Sequence, residues 1–140
     1  MGYYMRYFAD GVVTLKAIQS GLKQVDPGFK IDGGELLRGT ELLGEVEISL
    51  LNSDLFGEDL AAQLGQLERI GSPAAHQVAG RLRGTQSIVT LHVLDGERDP
   101  AVTWELLGPV WTVLPSISTG LTQSDGQGFY DGSQLVVPLS

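Results

Sequence analysis

The sequence predicts an α+β fold, a single domain over residues 1–140 with a mixed, mainly antiparallel sheet and about four helices. Three observations lead there. Apolar residues recur at three- and four-residue spacing in several stretches, the mark of amphipathic helices. Other stretches alternate strictly between apolar and polar, as half-buried strands do. Hairpin punctuation such as Gly33-Gly34, Ser124-Asp125-Gly126 and Asp131-Gly132 separates short apolar runs in the N-terminal third and again in the tail.

In chain order, residues 3–9 are aromatic-rich and read as a first strand, whose tyrosines suit either an edge-strand interface or a core wall. Asp10 offers a cap, and Leu15, Ile18, Leu22 and Val25 share one helical face, so a first helix is expected over about 11–25. Asp26-Pro27-Gly28 stops it, because the residue before proline resists the α conformation. A short strand is expected at Phe29–Asp32 and a longer one at Leu42–Leu51, where Val46, Ile48 and Leu50 alternate with Glu45, Glu47 and Ser49. Asn52-Ser53-Asp54 then caps a helix running to Ile70, on the spacing of Phe56, Leu60, Leu64 and Leu67.

Ser72-Pro73 places a cap and a first-turn proline before a third helix, which ends near Arg83. Ser87–Leu94 is apolar on both faces and is expected to be a central strand. Asp99-Pro100 opens a fourth helix to Leu114 that carries both tryptophans, Trp104 and Trp111, and is apolar almost all round. It is expected to be buried and kinked at Pro109. A last strand is expected over Gln134–Leu139, with Pro138 marking a sheet edge. A helix followed by Gly-Phe-Lys-Ile-Asp-Gly at 28–33, and another followed by Gly-Phe-Tyr-Asp-Gly at 128–132, form a weak internal pseudo-repeat.

Composition narrows function mainly by exclusion. At 140 residues with 42% hydrophobic and 19% charged residues, the chain resembles ordinary globular domains rather than disordered ones. The absence of cysteine removes disulfides, thiolate metal sites and a cysteine nucleophile. No signal peptide or membrane-length apolar run is read, so a soluble, cytoplasmic protein is expected. A net charge of −8 repels phosphate backbones and anionic lipid heads, which argues against nucleic-acid and membrane partners.

No phosphate-binding loop, nucleophile elbow or metal-spaced histidine pair occurs. Asp125-Gly126-Gln127-Gly128 lacks the ligand spacing of a calcium loop and the context of a dinucleotide fingerprint, and reads as a turn. His76 is expected on the outer face of its helix, and His92 as a hydrogen-bonded core residue. Glu45 and Glu47 share a strand face and could act as acid and base or hold a cation, but solvent-facing residues paired with Lys30 or Arg38 explain them more simply. Arg81 and Arg83 point different ways on a helix and are expected to serve its C-terminal end. These patterns lead to a non-catalytic protein-binding or regulatory module, with a protein partner or self-association and no cofactor or metal. The alternatives are a small hydrolase or metal-dependent enzyme using His92 with Glu45, Glu47 and Asp131, or an acidic inhibitor or immunity-type protein.

Overall fold

The structure, a computed structural model, describes residues 2–138. The chain runs β1 (Gly2–Ala9), α1 (Leu15–Val25), β2 (Phe29–Asp32), β3 (Glu35–Arg38), β4 (Glu41–Leu50), α2 (Asp54–Ile70) and α3 (Pro73–Leu82). It continues through β5 (Ser87–Leu94), α4 (Pro100–Leu106), α5 (Gly108–Ile117), β6 (Gly120–Ser124), β7 (Gly128–Asp131) and β8 (Gln134–Pro138). All eight strands join one α+β sheet in the order β2-β3-β4-β5-β1-β6-β7-β8.

Every neighbouring pair is antiparallel, not merely most of them. The expected mixed sheet is absent for a topological reason. The crossovers through α1 and through α4–α5 join parallel strands, β1 to β2 and β5 to β6, that are not neighbours. The pseudo-repeat appears as a helix followed by a three-strand meander at each end of the sheet. The halves differ in direction, since β4 lies innermost in the first and β6 in the second.

The width of the sheet governs what is covered. Eight strands span about 34 Å at the usual strand spacing, whereas two packed helices cover about 20 Å. Helices α1 and α5 bury one face of β2, β3, β4, β5 and β1, with Ile18, Leu22, Val113 and Leu114 against Leu36, Val46 and Leu91. Helices α2 and α3 bury the other face of β5, β1, β6, β7 and β8, with Phe56, Leu67 and Leu82 against Phe8, Ile88 and Phe129. Among the described residues, only β1 and β5 contribute to both cores. Each face therefore leaves about three strands without a helix, at opposite ends of the sheet.

Several local expectations change. The first strand is central, not an edge: β1 pairs with β5 and β6, and Tyr7 and Phe8 are buried on opposite faces while Tyr4 is exposed. Helix α1 is capped by Thr14, whose Oγ1 accepts from the Ala17 N–H at 3.1 Å. Asp10 instead accepts from the Thr119 hydroxyl at 2.6 Å. The intervening loop is spanned by the buried Ser87, whose hydroxyl donates to the Gly11 carbonyl and accepts from the Val13 N–H. Glu35–Arg38 and the polar Gly120–Ser124 are strands that alternation did not single out.

The tryptophan helix is two helices. Pro109 lacks an N–H and would collide with the carbonyl four residues earlier, so α4 ends and α5 begins afresh at Gly108, with Pro109 in its first turn. The break separates the tryptophans: Trp104 is 40% exposed and Trp111 is half-buried, so the segment is not buried all round. No helix among the described residues is long and apolar enough to cross a membrane.

Gly21 lets α1 approach α5, because a Cβ there would lie 2.6 Å from Val113 Cγ1, a stiff β-branched side chain. Gly65 in α2 faces only the tip of Arg69, 3.9 Å away. Alanine is the better helix former by roughly 1 kcal/mol. Gly65→Ala should thus stabilise by about that amount. Gly21→Ala should destabilise by about 1–2 kcal/mol as the overpacked helices separate. Urea unfolding of both variants checks this, and a shift of the same sign in both would contradict the close-approach account.

Candidate functional site

The two helix-free quarters of the sheet differ in chemistry. On the α2–α3 face, β4 and the Gly33-Gly34 turn before β3 border a shallow hollow of about 300 Å³ with the middle of β5 and Tyr4 of β1. Glu45, Glu47 and Thr90 line it with His92. Strand alternation places these side chains outward, since Val46, Val89 and Leu91 point into the opposite core. Glu45 stands opposite His92 across β4–β5, and its Oε1 lies 3.6 Å from His92 Nδ1. On its other side Glu45 stands opposite Glu35.

His92 is neither a core residue nor isolated. Its ring stacks on Tyr4 with centroids 4.5 Å apart and planes within 11°. The Arg6 guanidinium sits over the other part of this row, 5.6 Å from the Tyr4 centroid. Arg6 is held in turn by the Gln123 amide oxygen at 2.9 Å and by Asp125 at 3.0 Å. Exposed His76, by contrast, lies on the outer face of α3 as expected.

The expected counter-charges do not reach Glu45 or Glu47. Lys30 pairs with Asp32, and Arg38 with Asp26, which also accepts from the Gly28 N–H. That backbone hydrogen bond, helped by Arg38, holds the Asp26 carboxyl below the ordinary range. Among the described residues no lysine or arginine pairs with Glu35, Glu45 or Glu47. Nor does any group of three histidine and carboxylate side chains stand ready to hold a metal. Asp131 lies on β7, three strands from β5, a separation of about 14 Å. Of the four, His92, Glu45 and Glu47 therefore share the hollow and Asp131 stands apart from them.

Asp131 belongs to the second quarter, a cleft of about 730 Å³ between the α4–α5 break and strands β1, β6 and β7. Trp104 and Trp111 contribute from the broken helix, Tyr7 and Met5 from β1, and Tyr130 from β7. Arg81 lies in the last turn of α3, as expected, but its side chain is also engaged elsewhere. It reaches from α3 to Asp131 at 3.3 Å and to Asp10 at 3.9 Å. The signal available in the sequence was Pro109 between two tryptophans, which separates their faces. The other walls come from distant segments and carried none.

Tyr7 donates its hydroxyl proton to the Ser118 carbonyl at 2.6 Å. Burial, and then the nearby charge of Asp10, push its pKa up to about 12, against an opposing pull from Arg81, with Asp131 adding the smallest push. A folded pKa above the unfolded value of 10.0 means that the unfolded chain releases the proton first, so stability is lost as pH rises from about 10 to about 12. Tyr7→Phe should cost about 1 kcal/mol at neutral pH through the lost hydrogen bond. It should also flatten that alkaline decline. Melting temperatures of both proteins from neutral to strongly alkaline pH provide the check; parallel curves would exclude Tyr7 as the source.

Compared with known proteins, the chain matches no family model, and no curated protein or solved structure is found to be similar.

Proposed function

We propose that this protein is a non-catalytic, cytoplasmic binding module that docks a basic protein partner on the acidic quarter of its sheet. One observation carries the reading. Glu35 stands directly opposite Glu45 on an uncovered sheet face, with Glu47 two residues farther along. Like charges opposed across strands cost stability, about 0.2–1 kcal/mol against a neutral pair. Such a cost is relieved when lysine or arginine side chains arrive from outside. The net charge of −8 adds long-range attraction for the same partners. Neutralising a basic protein, as an inhibitor or immunity-type protein does, is a specific form of this function.

The 3.6 Å approach of His92 to Glu45 supports a second reading, a small hydrolase with His92 as general base. Glu47 lines the same hollow, but Asp131 stands about 14 Å away and the hollow is open to water, so the first reading is preferred.

The test compares two triple variants. Glu35→Gln with Glu45→Gln and Glu47→Gln removes the acidic patch, whereas Asp54→Asn with Glu58→Gln and Glu68→Gln removes equal charge from α2. Binding to a lysine-rich peptide at low salt should weaken about 10-fold or more in the first and far less in the second. It should also fall steeply with added salt in the unmodified protein. The first variant should gain stability as well, by a few tenths of a kcal/mol. Equal loss in both variants would reduce the attraction to net charge and remove the docking face.

A further inference from the structure

The cleft lies on the other face and at the other end of the sheet from the acidic quarter, and it has a separate chemistry. We propose that it binds an uncharged, planar aromatic molecule of nucleobase or nucleoside size that carries N–H or O–H donors. Four features lead to this class.

The first is size, since about 730 Å³ falls within the range of pockets that enclose small organic ligands. The second is wall chemistry. Two tryptophans and two tyrosines line the space, and flat π-surfaces of this kind hold flat ligands by stacking. The third is charge. The two charged side chains of the lining, Arg81 and Asp131, engage each other, and Asp10 lies on the far side of the guanidinium. Neither is free for a charged ligand, and the overall negative charge of the protein disfavours a phosphate.

The fourth is the direction of the hydrogen bonds. Three lining hydroxyls already donate inward: Tyr7 to the Ser118 carbonyl, Thr112 to the Gly108 carbonyl and Tyr130 to the Gln127 amide oxygen. Each keeps only lone pairs for a ligand, and burial holds the Tyr7 proton in place. At these three positions the ligand must therefore bring the donors, as the amino and hydroxyl groups of a nucleoside do, while the indole N–H of Trp111, also in the lining, has no partner among the described residues. Gly120 contributes by omission. A Cβ at this position would lie 2.9 Å from the Tyr7 ring, so its absence keeps the phenol seated in the floor.

Trp104 and Trp111 are the only tryptophans and both line the cleft, so intrinsic fluorescence reports its occupancy directly. The full chain is titrated with adenosine and guanosine, with adenosine monophosphate as the charged analogue and maltose as a donor-rich ligand without an aromatic ring. At least one nucleoside should quench saturably, with a Kd below about 1 mM. The monophosphate should bind about 10-fold more weakly, and maltose should not bind. Trp104→Ala, at a substantially exposed position, should weaken nucleoside binding about 10-fold in calorimetry while the far-ultraviolet circular dichroism is kept. The Glu35/Glu45/Glu47 glutamine variant should bind nucleoside unchanged, which separates failure here from failure of the protein-docking reading. Absence of saturable quenching would overturn the assignment. So would maltose or monophosphate binding as tight as that of the nucleoside, or unchanged affinity in a folded Trp104→Ala variant.

Discussion

Everything in this molecule depends on β1 and β5, the antiparallel pair buried on both faces. Their apolar alternation is doubled: Val89 and Leu91 enter one core while Ile88 enters the other, and Tyr7 and Phe8 divide in the same way. Both helix pairs need this central pair as their floor, yet each extends from it in a different direction. A sheet of eight strands is too wide for two helices, so the covered regions overlap only at the middle. The two uncovered quarters follow from that mismatch of widths rather than from any local feature of the strands that form them.

The two quarters then diverge because of what stands over them. The helices leave β3 and the Glu45–Glu47 stretch of β4 uncovered, and the outward positions there are filled by residues that tolerate water, chiefly Glu35, Glu45 and Glu47; only farther along β4, towards α2, is the outward Ser49 buried. Over β6 and β7 the broken helix leaves Trp104 and Trp111 leaning across the strands, and half-sheltered space favours tyrosine and threonine. Arg98 holds this overhang at its start. It bonds Glu41 at 2.8 Å, the carbonyls of Leu42 and Leu94, and the Thr103 hydroxyl at 3.2 Å. One guanidinium thus fastens β4, β5 and α4 together where the chain leaves the sheet.

Much of the fold was legible in local pattern. The alternation of β4, the doubly apolar β5, and the Ser72-Pro73 start of α3, where Ser72 Oγ accepts from the Ala75 N–H at 3.1 Å, all follow from residues that are neighbours in sequence. Short strands were harder to read. Gly120–Ser124 is mostly polar, and its strand character comes from pairing with β1 and β7 rather than from its own composition. The N-terminal aromatics fit an edge or a core wall equally well, because nothing local shows that both flanks of β1 are occupied by segments from far along the chain. The sites were less legible for the same reason. His92 and Glu45 meet through strand register, and the cleft draws on six separate elements. Charge partners also went astray, because Lys30 and Arg38 found closer carboxylates in Asp32 and Asp26.

The position of β1 has a further meaning for how the chain reaches its native state. Gly2 must find Leu94, and Ala9 must find Ser87, so β1 pairs only once the chain as far as β5 has been made. Until then its aromatic faces have no sheet to join. Non-local pairing of this kind slows folding, because the entropy of closing a long loop is lost before any contact is gained. A ribosome-bound fragment ending before β5 would carry an orphaned aromatic strand, the sort of surface that chaperones recognise.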